Sequence, residues 1–428
     1  MSRPSSSSLR DVLSEPAVVV VIGAVFVIML GFGLIVPVLP LYARSFGVGK
    51  AEVGLLMTSF AVMRLVFDLV AGPMVERWGE RLTASAGAAI VGVSAGLSAI
   101  APNFPMLVVF RSIGGAGSSI MFAAALNHLI HTVPANRMAR TMSLYYSAFL
   151  LGTLLGQPIG GVIAEVFGLA SPLVFYAGAC VVSTVLIFRY FTDRPGRTRG
   201  YAPATREEVL AETETPLRAA WGRVRGLLSG RAFLIALAAN AVGFWALGAV
   251  RLTLVPLFAK EEVGLSESGI GAVLGVAALA QFAVMWKAGS LADSLGRRPL
   301  LAPALAAMGL GIGAVGWATQ TPLLLAALVA VGLATAFVGV VPAAVVADVA
   351  PRSVSATAVG VYRFAGDVGF VLGPLVGGLV ADVAGFRPAF VVIAVPLLAA
   401  SLLALGMPET LARSGRRTSA RSGAPAGA

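Results

Sequence analysis

Four ionisable side chains sit inside otherwise apolar stretches as two pairs spaced four residues apart, Arg64 with Asp68 and Arg363 with Asp367. On a helix that spacing puts both members on one face, so each pair can neutralise itself and reduce the penalty of burial. The same residue types support a second chemistry: a carboxylate that takes up and releases a proton, with a guanidinium beside it to set its pKa. Asp367 is the first candidate for that role and Asp68 the second. Two further arginines, Arg111 and Arg251, stand alone in apolar runs. A guanidinium at membrane depth costs about 3 kcal/mol unless it faces water or a partner. Arg111 is therefore a functional candidate, with snorkelling toward a nearby helix end as the alternative. Four arginines against two aspartates is a positive balance that suits neutral, zwitterionic or anionic solutes better than lipophilic cations. Asn127, Tyr145, Tyr146, Gln157, Asn240, Phe244, Trp245 and Gln281 are candidates for lining the same cavity, although most aromatic residues in membrane helices serve packing alone.

The elements that position these groups follow from composition. Apolar residues make up 58% of the 428 and charged residues 12%, a surface that water does not tolerate. Apolar runs of about twenty residues recur with no ten-residue alternation, so the spanning elements are helices. Twelve are expected, at 17–42, 51–72, 83–102, 106–130, 139–164, 172–191, 232–258, 268–289, 299–318, 322–346, 356–381 and 388–407. The first is too long for a signal-peptide core. The net charge of +11 follows the side of the membrane: with a cytoplasmic N-terminus, about 23 of the 31 Lys and Arg fall in cytoplasmic segments. That distribution argues against nucleic acid as a partner and places both termini in the cytoplasm.

The expected organisation is a cytoplasmic tail at 1–16, a six-helix bundle at 17–191, a polar linker at 192–231, a second bundle at 232–407 and a cytoplasmic tail at 408–428. In the linker, Trp221, Leu227 and Leu228 can form the apolar face of a basic amphipathic helix against headgroups. The two bundles are copies. An offset of 217 residues carries Gly54 onto Gly271, Tyr145 onto Tyr362, Pro134 onto Pro351, and Gly152, Gly156, Gly160 and Gly161 onto Gly369, Gly373, Gly377 and Gly378. A register held this long marks a duplicated unit, and glycine recurs where backbones touch. The fold class is therefore all-α and integral to the membrane, with twelve helices in two six-helix bundles related by a pseudo-twofold.

The same offset aligns two charged links, GPMVERWGER at Gly72 to Arg81 and GSLADSLGRR at Gly289 to Arg298. Each joins a glycine that permits a helix end (Gly72, Gly289), an acid (Glu76, Asp293), a second glycine (Gly79, Gly296) and basic residues (Arg81; Arg297, Arg298). Acid and guanidinium can pair with neighbouring helix ends and hold one face shut. In the fifth and eleventh helices, glycines at spacing four (Gly152, Gly156, Gly160; Gly373, Gly377) with Pro158 and Pro374 make smooth faces for close packing and sliding.

These residues resemble the signature of the major facilitator superfamily, whose pattern in this link is G-x-L-A-D-x-x-G-R-R. The second copy fits nearly throughout; the first departs at Pro73, Met74, Glu76 and Glu80. Gly31, Pro37 and Pro40 in the first helix, and GPLVGG at Gly373 in the eleventh, are similar to motifs of its twelve-helix drug:proton antiporter group. The resemblance implies alternating access about a midplane site, a role for Arg111 in proton coupling, and second and eleventh helices that meet across the interface. There the four paired charges can cross-pair as a gate. It implies a monomer in the cytoplasmic membrane that exports a small organic molecule against protons. A proton-coupled importer of a sugar or other metabolite is the alternative, and a non-transporting sensor or enzyme a more distant one.

No cofactor or metal is expected. Gly311, Gly313 and Gly316 spell G-x-G-x-x-G inside an apolar helix without a preceding strand, His128 and His131 lack further ligands, Cys180 is alone, and no ATP-binding loop is present.

Overall fold

In a lipid core every backbone N–H and C=O must be bonded internally, and the described residues meet that demand with helices. The computed structural model describes residues 16–133, 135–191, 225–350 and 354–411, and among them no strand occurs. Most of the linker with Trp221, most of both expected tails, and Pro134 and Pro351 lie outside the described residues.

Among the described residues twelve helices are long and apolar enough to cross a membrane. They are α1 (Pro16–Ile35, resumed as Leu39–Arg44), α2 (Lys50–Trp78), α3 (Glu80–Ala99), α4 (Phe104–Thr132), α5 (Ala135–Phe167) and α6 (Ser171–Tyr190). The second set is α7 (Arg231–Glu261), α8 (Glu267–Leu295), α9 (Arg298–Val315), α10 (Thr321–Val349), α11 (Ser355–Ala384) and α12 (Phe386–Leu405). Pro37 and Pro40 interrupt α1 rather than merely bending it, since proline supplies no N–H to the ladder. Asn103 and Ser266 cap α4 and α8 by accepting from Met106 N (3.0 Å) and Gly269 N (3.3 Å).

One expectation needs correction. Gly72 and Gly289 do not end their helices; α2 and α8 continue to Trp78 and Leu295, 29 residues each. That is roughly 43 Å of helix, enough to cross the headgroups as well as the hydrocarbon. The stops are Gly79 (φ +81°) and Gly296 (φ +107°), where the backbone enters a region that L side chains rarely adopt.

Inside the first bundle α1 packs on α5 and α6, α2 on α4, and α3 on α4 and α6. The second repeats the pattern, with α7 on α11 and α12, α8 on α10, and α9 on α10 and α12. The bundles meet along two seams, α2 against α11 and α5 against α8. The glycine stripes do not face one another. Gly152, Gly156 and Gly160 seat α5 on the α1 backbone at Phe26, Leu30 and Leu34, and Gly369 and Gly373 seat α11 on α7 at Ala241 and Trp245. They rigidify each bundle instead of forming a sliding surface between bundles.

Candidate functional site

Between the bundles lies a cavity of about 700 Å³. Its walls run from mid-depth, at Val36 and Leu252, to the face that carries the termini, at Leu69, Met285 and Gly360. Arg64 and Asp68 line it from α2, and Arg363 and Asp367 from α11. Neither pair neutralises itself: among the described residues no ion pair joins Arg64 to Asp68 or Arg363 to Asp367. Asp68 Oδ1 instead accepts from Ser119 Oγ of α4. Asp367 lies close enough to Arg64, Asp68 and Arg363 to interact with all three charges, so the fold gathers the four groups of both bundles at one place.

Tyr145, Tyr146, Phe244, Arg251 and Gln281 also line the cavity; Asn127, Asn240 and Trp245 do not. Asn240 Nδ2 donates to Tyr362 O (2.7 Å) and Trp245 Nε1 to Ile393 O (3.3 Å), so both tie α7 to its own bundle. Gln157 reaches the cavity through Arg251, whose Nη2 donates to its Oε1 at 3.2 Å. Arg111 does not snorkel. It is 2% exposed, beneath the Phe60 ring at 4.9 Å, with Nε and Nη1 unpartnered, beside a small apolar void that shares Phe32, Phe60 and Phe370 with the central cavity.

The face opposite the termini is sealed by glycine, proline and glutamine positions already named for the repeat, the packing motif and the cavity, together with helix-end charges that the sequence reading did not single out. Gly54 of α2 meets the Pro374 carbonyl of α11, and its repeat Gly271 of α8 meets Gln157 and Pro158 of α5. Asp382 accepts from the first amides of α2, Lys50 N (2.7 Å) and Ala51 N (2.8 Å); its repeat position, Glu165, accepts from Ser268 N (3.0 Å) at the start of α8. Carboxylates at helix N-termini are favourable because the unbonded N–H groups and the helix dipole point at them. On the same face Glu261 of α7 pairs with Arg44 of α1 (3.2 Å) and Lys50 of α2 (3.3 Å), joining the bundles between the seams. Arg44 and Glu261 are themselves related by the 217-residue offset.

The charged links at the termini face stay within their own bundles in this conformation. Arg297 binds Asp293 (2.6 Å) and Asp348 of α10 (3.0 Å). Burial works against its charge, but Asp348 and Asp293 outweigh it and hold the guanidinium pKa above its ordinary value. In the first copy Glu76 is exposed, and the equivalent contact is made with inverted polarity: Glu80 binds His128 (2.6 Å) and His131 (2.5 Å) of α4. Arg81 Nε donates to Phe188 O at 2.6 Å. His128 and His131 thus serve a carboxylate, and no metal-binding cluster occurs among the described residues.

Beyond α12, Glu409 accepts from Arg297 N (2.8 Å), Arg298 N (3.1 Å), Thr410 N (3.1 Å) and Leu411 N (3.0 Å). Burial raises its pKa and these four amides outweigh it, leaving it below 4.5. A depressed folded pKa stabilises the docked segment above the unfolded value and loses that stabilisation as pH falls through the folded one. Amide exchange at Arg297 and Arg298 is therefore expected to be slow at pH 7 and to accelerate below about pH 4 relative to the intrinsic rate, with Glu409→Gln showing the fast rate throughout. Equal protection in the variant at pH 7 would remove the carboxylate as the anchor.

Sequence comparison also finds a tandem match along the chain. The family model of the Major Facilitator Superfamily matches residues 21–252 and again 236–426. The chain belongs to the Major Facilitator Superfamily. Quinolone resistance protein NorA of Staphylococcus aureus is 30% identical over 169 residues, 38% of this chain and 43% of NorA, so the matched segment spans less than half of that relative. Among solved structures, a D-xylose-proton symporter superposes with a TM-score of 0.73 at 15% identity, covering 92% of this chain and 98% of the other. Nucleoside transporter NupG gives 0.74 at 11% identity, covering 91% and 98%. At these identities the structures establish the superfamily fold and say nothing of substrate. The superfamily is one of multi-pass membrane transporters rather than enzymes, and the chain's twelve apolar helices fit that membership.

Proposed function

We propose that this chain is a secondary active exporter that exchanges a small organic molecule for protons across the cytoplasmic membrane, as a monomer with both termini in the cytoplasm. The observation that carries the reading is the central cavity. It is closed on one face by paired seams, reaches the other face, and is lined by ionisable groups from both bundles. A volume of about 700 Å³ is the size of a drug-like ligand site. Rocking of two repeats about such a site alternates its access, provided solute and proton differ in affinity for the two states. Lys and Arg concentrated on the termini side support the assignment of that side to the cytoplasm. The similarity to a quinolone resistance protein and the antiporter-like motifs favour export.

The experiment is reconstitution of the full chain in proteoliposomes carrying a proton gradient and a pH dye. Neutral, zwitterionic, anionic and cationic compounds are added in turn. Solute-dependent dissipation of the gradient, with solute and proton moving oppositely, is the expected result. Movement in one direction would replace exchange by symport, the reading that the xylose-proton symporter's shared fold keeps in view. No solute-dependent proton flux at all would sink proton coupling.

A further inference from the structure

Helix α7 departs from α-helical geometry where it passes the cavity. Leu247–Leu254 is π-helical, with Arg251 within it. Such segments are rare and concentrate at functional sites because the extra residue per turn re-aims a side chain. The departure is supported locally: Gly248 fits against the Pro374 ring, and Thr253 Oγ1 donates to the Gly248 carbonyl at 3.0 Å. Its result is to place the Arg251 guanidinium on the cavity wall.

What meets the guanidinium there is neutral. Nη1 donates to Gln281 Oε1 of α8 at 3.3 Å and Nη2 to Gln157 Oε1 of α5 at 3.2 Å, while no carboxylate of the described residues pairs with it. Gln157 is 0% exposed, and its own Nε2 donates to Thr153 O at 3.0 Å, which fixes its oxygen toward Arg251. Two long bonds to amide oxygens satisfy donors without neutralising the charge, and a guanidinium offers a fork that matches a carboxylate in two parallel bonds. The cavity's own acids are committed elsewhere, Asp68 to Ser119 and Asp367 among the α2 and α11 charges.

We propose that Arg251 is the anion-recognising centre of the cavity and that the transported molecule is a carboxylate, whose binding displaces Gln157 and Gln281 from the guanidinium. Because Gln157 belongs to the first bundle and Arg251 to the second, the exchange of partners also removes a mid-depth hydrogen bond between them. Occupancy is thereby coupled to the freedom of the bundles to move. This deepens the transport reading and rests on it.

The test compares 2-naphthoate, 2-naphthamide and 2-naphthylmethylammonium, matched in shape and different in charge, by calorimetric titration of the purified full chain in detergent. Wild type is expected to bind naphthoate at least about tenfold more tightly than the amide and to bind the ammonium least. In Arg251→Gln the naphthoate margin should fall to about twofold or less, with amide binding retained as the sign of an intact cavity. Gln157→Leu removes a competing acceptor and keeps the charge, so naphthoate should bind as tightly as in wild type or more so. Should Arg251→Gln not fold, Arg251→Lys decides: a reduced margin supports the fork, an undiminished one overturns it. Equal or reversed affinities in wild type, undetectable naphthoate binding, or a margin that survives Arg251→Gln overturns the proposal. No gradient is applied, so failure of proton coupling in vesicles leaves this result standing, and a charge-blind cavity leaves the transport reading standing.

Discussion

Asp367→Asn is expected to reduce proton-driven transport in proteoliposomes to the level of protein-free vesicles, while the variant still inserts and still binds solute. Arg64, Asp68, Arg363 and Asp367 together carry no net charge when both acids are ionised, and protonating Asp367 leaves one positive charge in excess. An ionised Asp367 on α11 can pair with Arg64 on α2 if the bundles close over the termini face; a protonated one cannot. A proton arriving from the other side then favours reopening toward the termini, and its release readies the cavity for solute, the order that exchange requires. Asparagine imitates the protonated state permanently. Solute binding by the purified variant is the control for a folded cavity, and undiminished gradient-driven flux would remove Asp367 as the coupling group.

Gly54→Val and Gly271→Val are expected each to shift the resting population toward the state open opposite the termini. At both positions a Cβ would strike backbone rather than a flexible side-chain end, Pro374 O for Gly54 and Gln157 O for Gly271. Forcing such an overlap costs about 1–3 kcal/mol, and since only the state sealed on that face contains the contact, the equilibrium moves by roughly 5- to 150-fold. A Leu252→Cys probe on the cavity wall, in a background where buried Cys180 is Ala, reports the shift as faster labelling by a membrane-impermeant maleimide from that side. Glu165→Gln with Asp382→Asn should act in the same direction and less strongly, because the helix-end carboxylates are exposed. Gly160→Val is the contrast. Its neighbour is Leu34 of the same bundle, so it should lower stability without altering sidedness. Unchanged labelling in both seam variants would show that these seams do not open.

Part of the site was readable because lipid makes charge conspicuous. Arg64, Asp68, Arg251, Arg363 and Asp367 were found as ions in apolar runs, and all five line the cavity. The charges on the sealed face were missed for the complementary reason: Glu165, Asp382, Arg44 and Glu261 stand at helix ends, where charge is ordinary. A signal for them existed in the repeat, which pairs Glu165 with Asp382 and sets Arg44 opposite Glu261. Asn240 and Trp245 misled because polarity in a membrane helix serves inter-helix bonds as readily as a cavity.

By itself the sequence determined the membrane class, the twelve helices, the two equivalent bundles and the family, because apolar length, repeat register and glycine spacing are local along the chain. Tertiary structure alone decided which face is sealed, that the two charge pairs share one cavity without pairing internally, and that each glycine stripe meets its own bundle's first helix. It also decided that α7 turns π-helical to aim Arg251 at Gln157. These depend on which helix faces meet across two seams, and helices apolar all round leave that choice to packing between residues hundreds of positions apart.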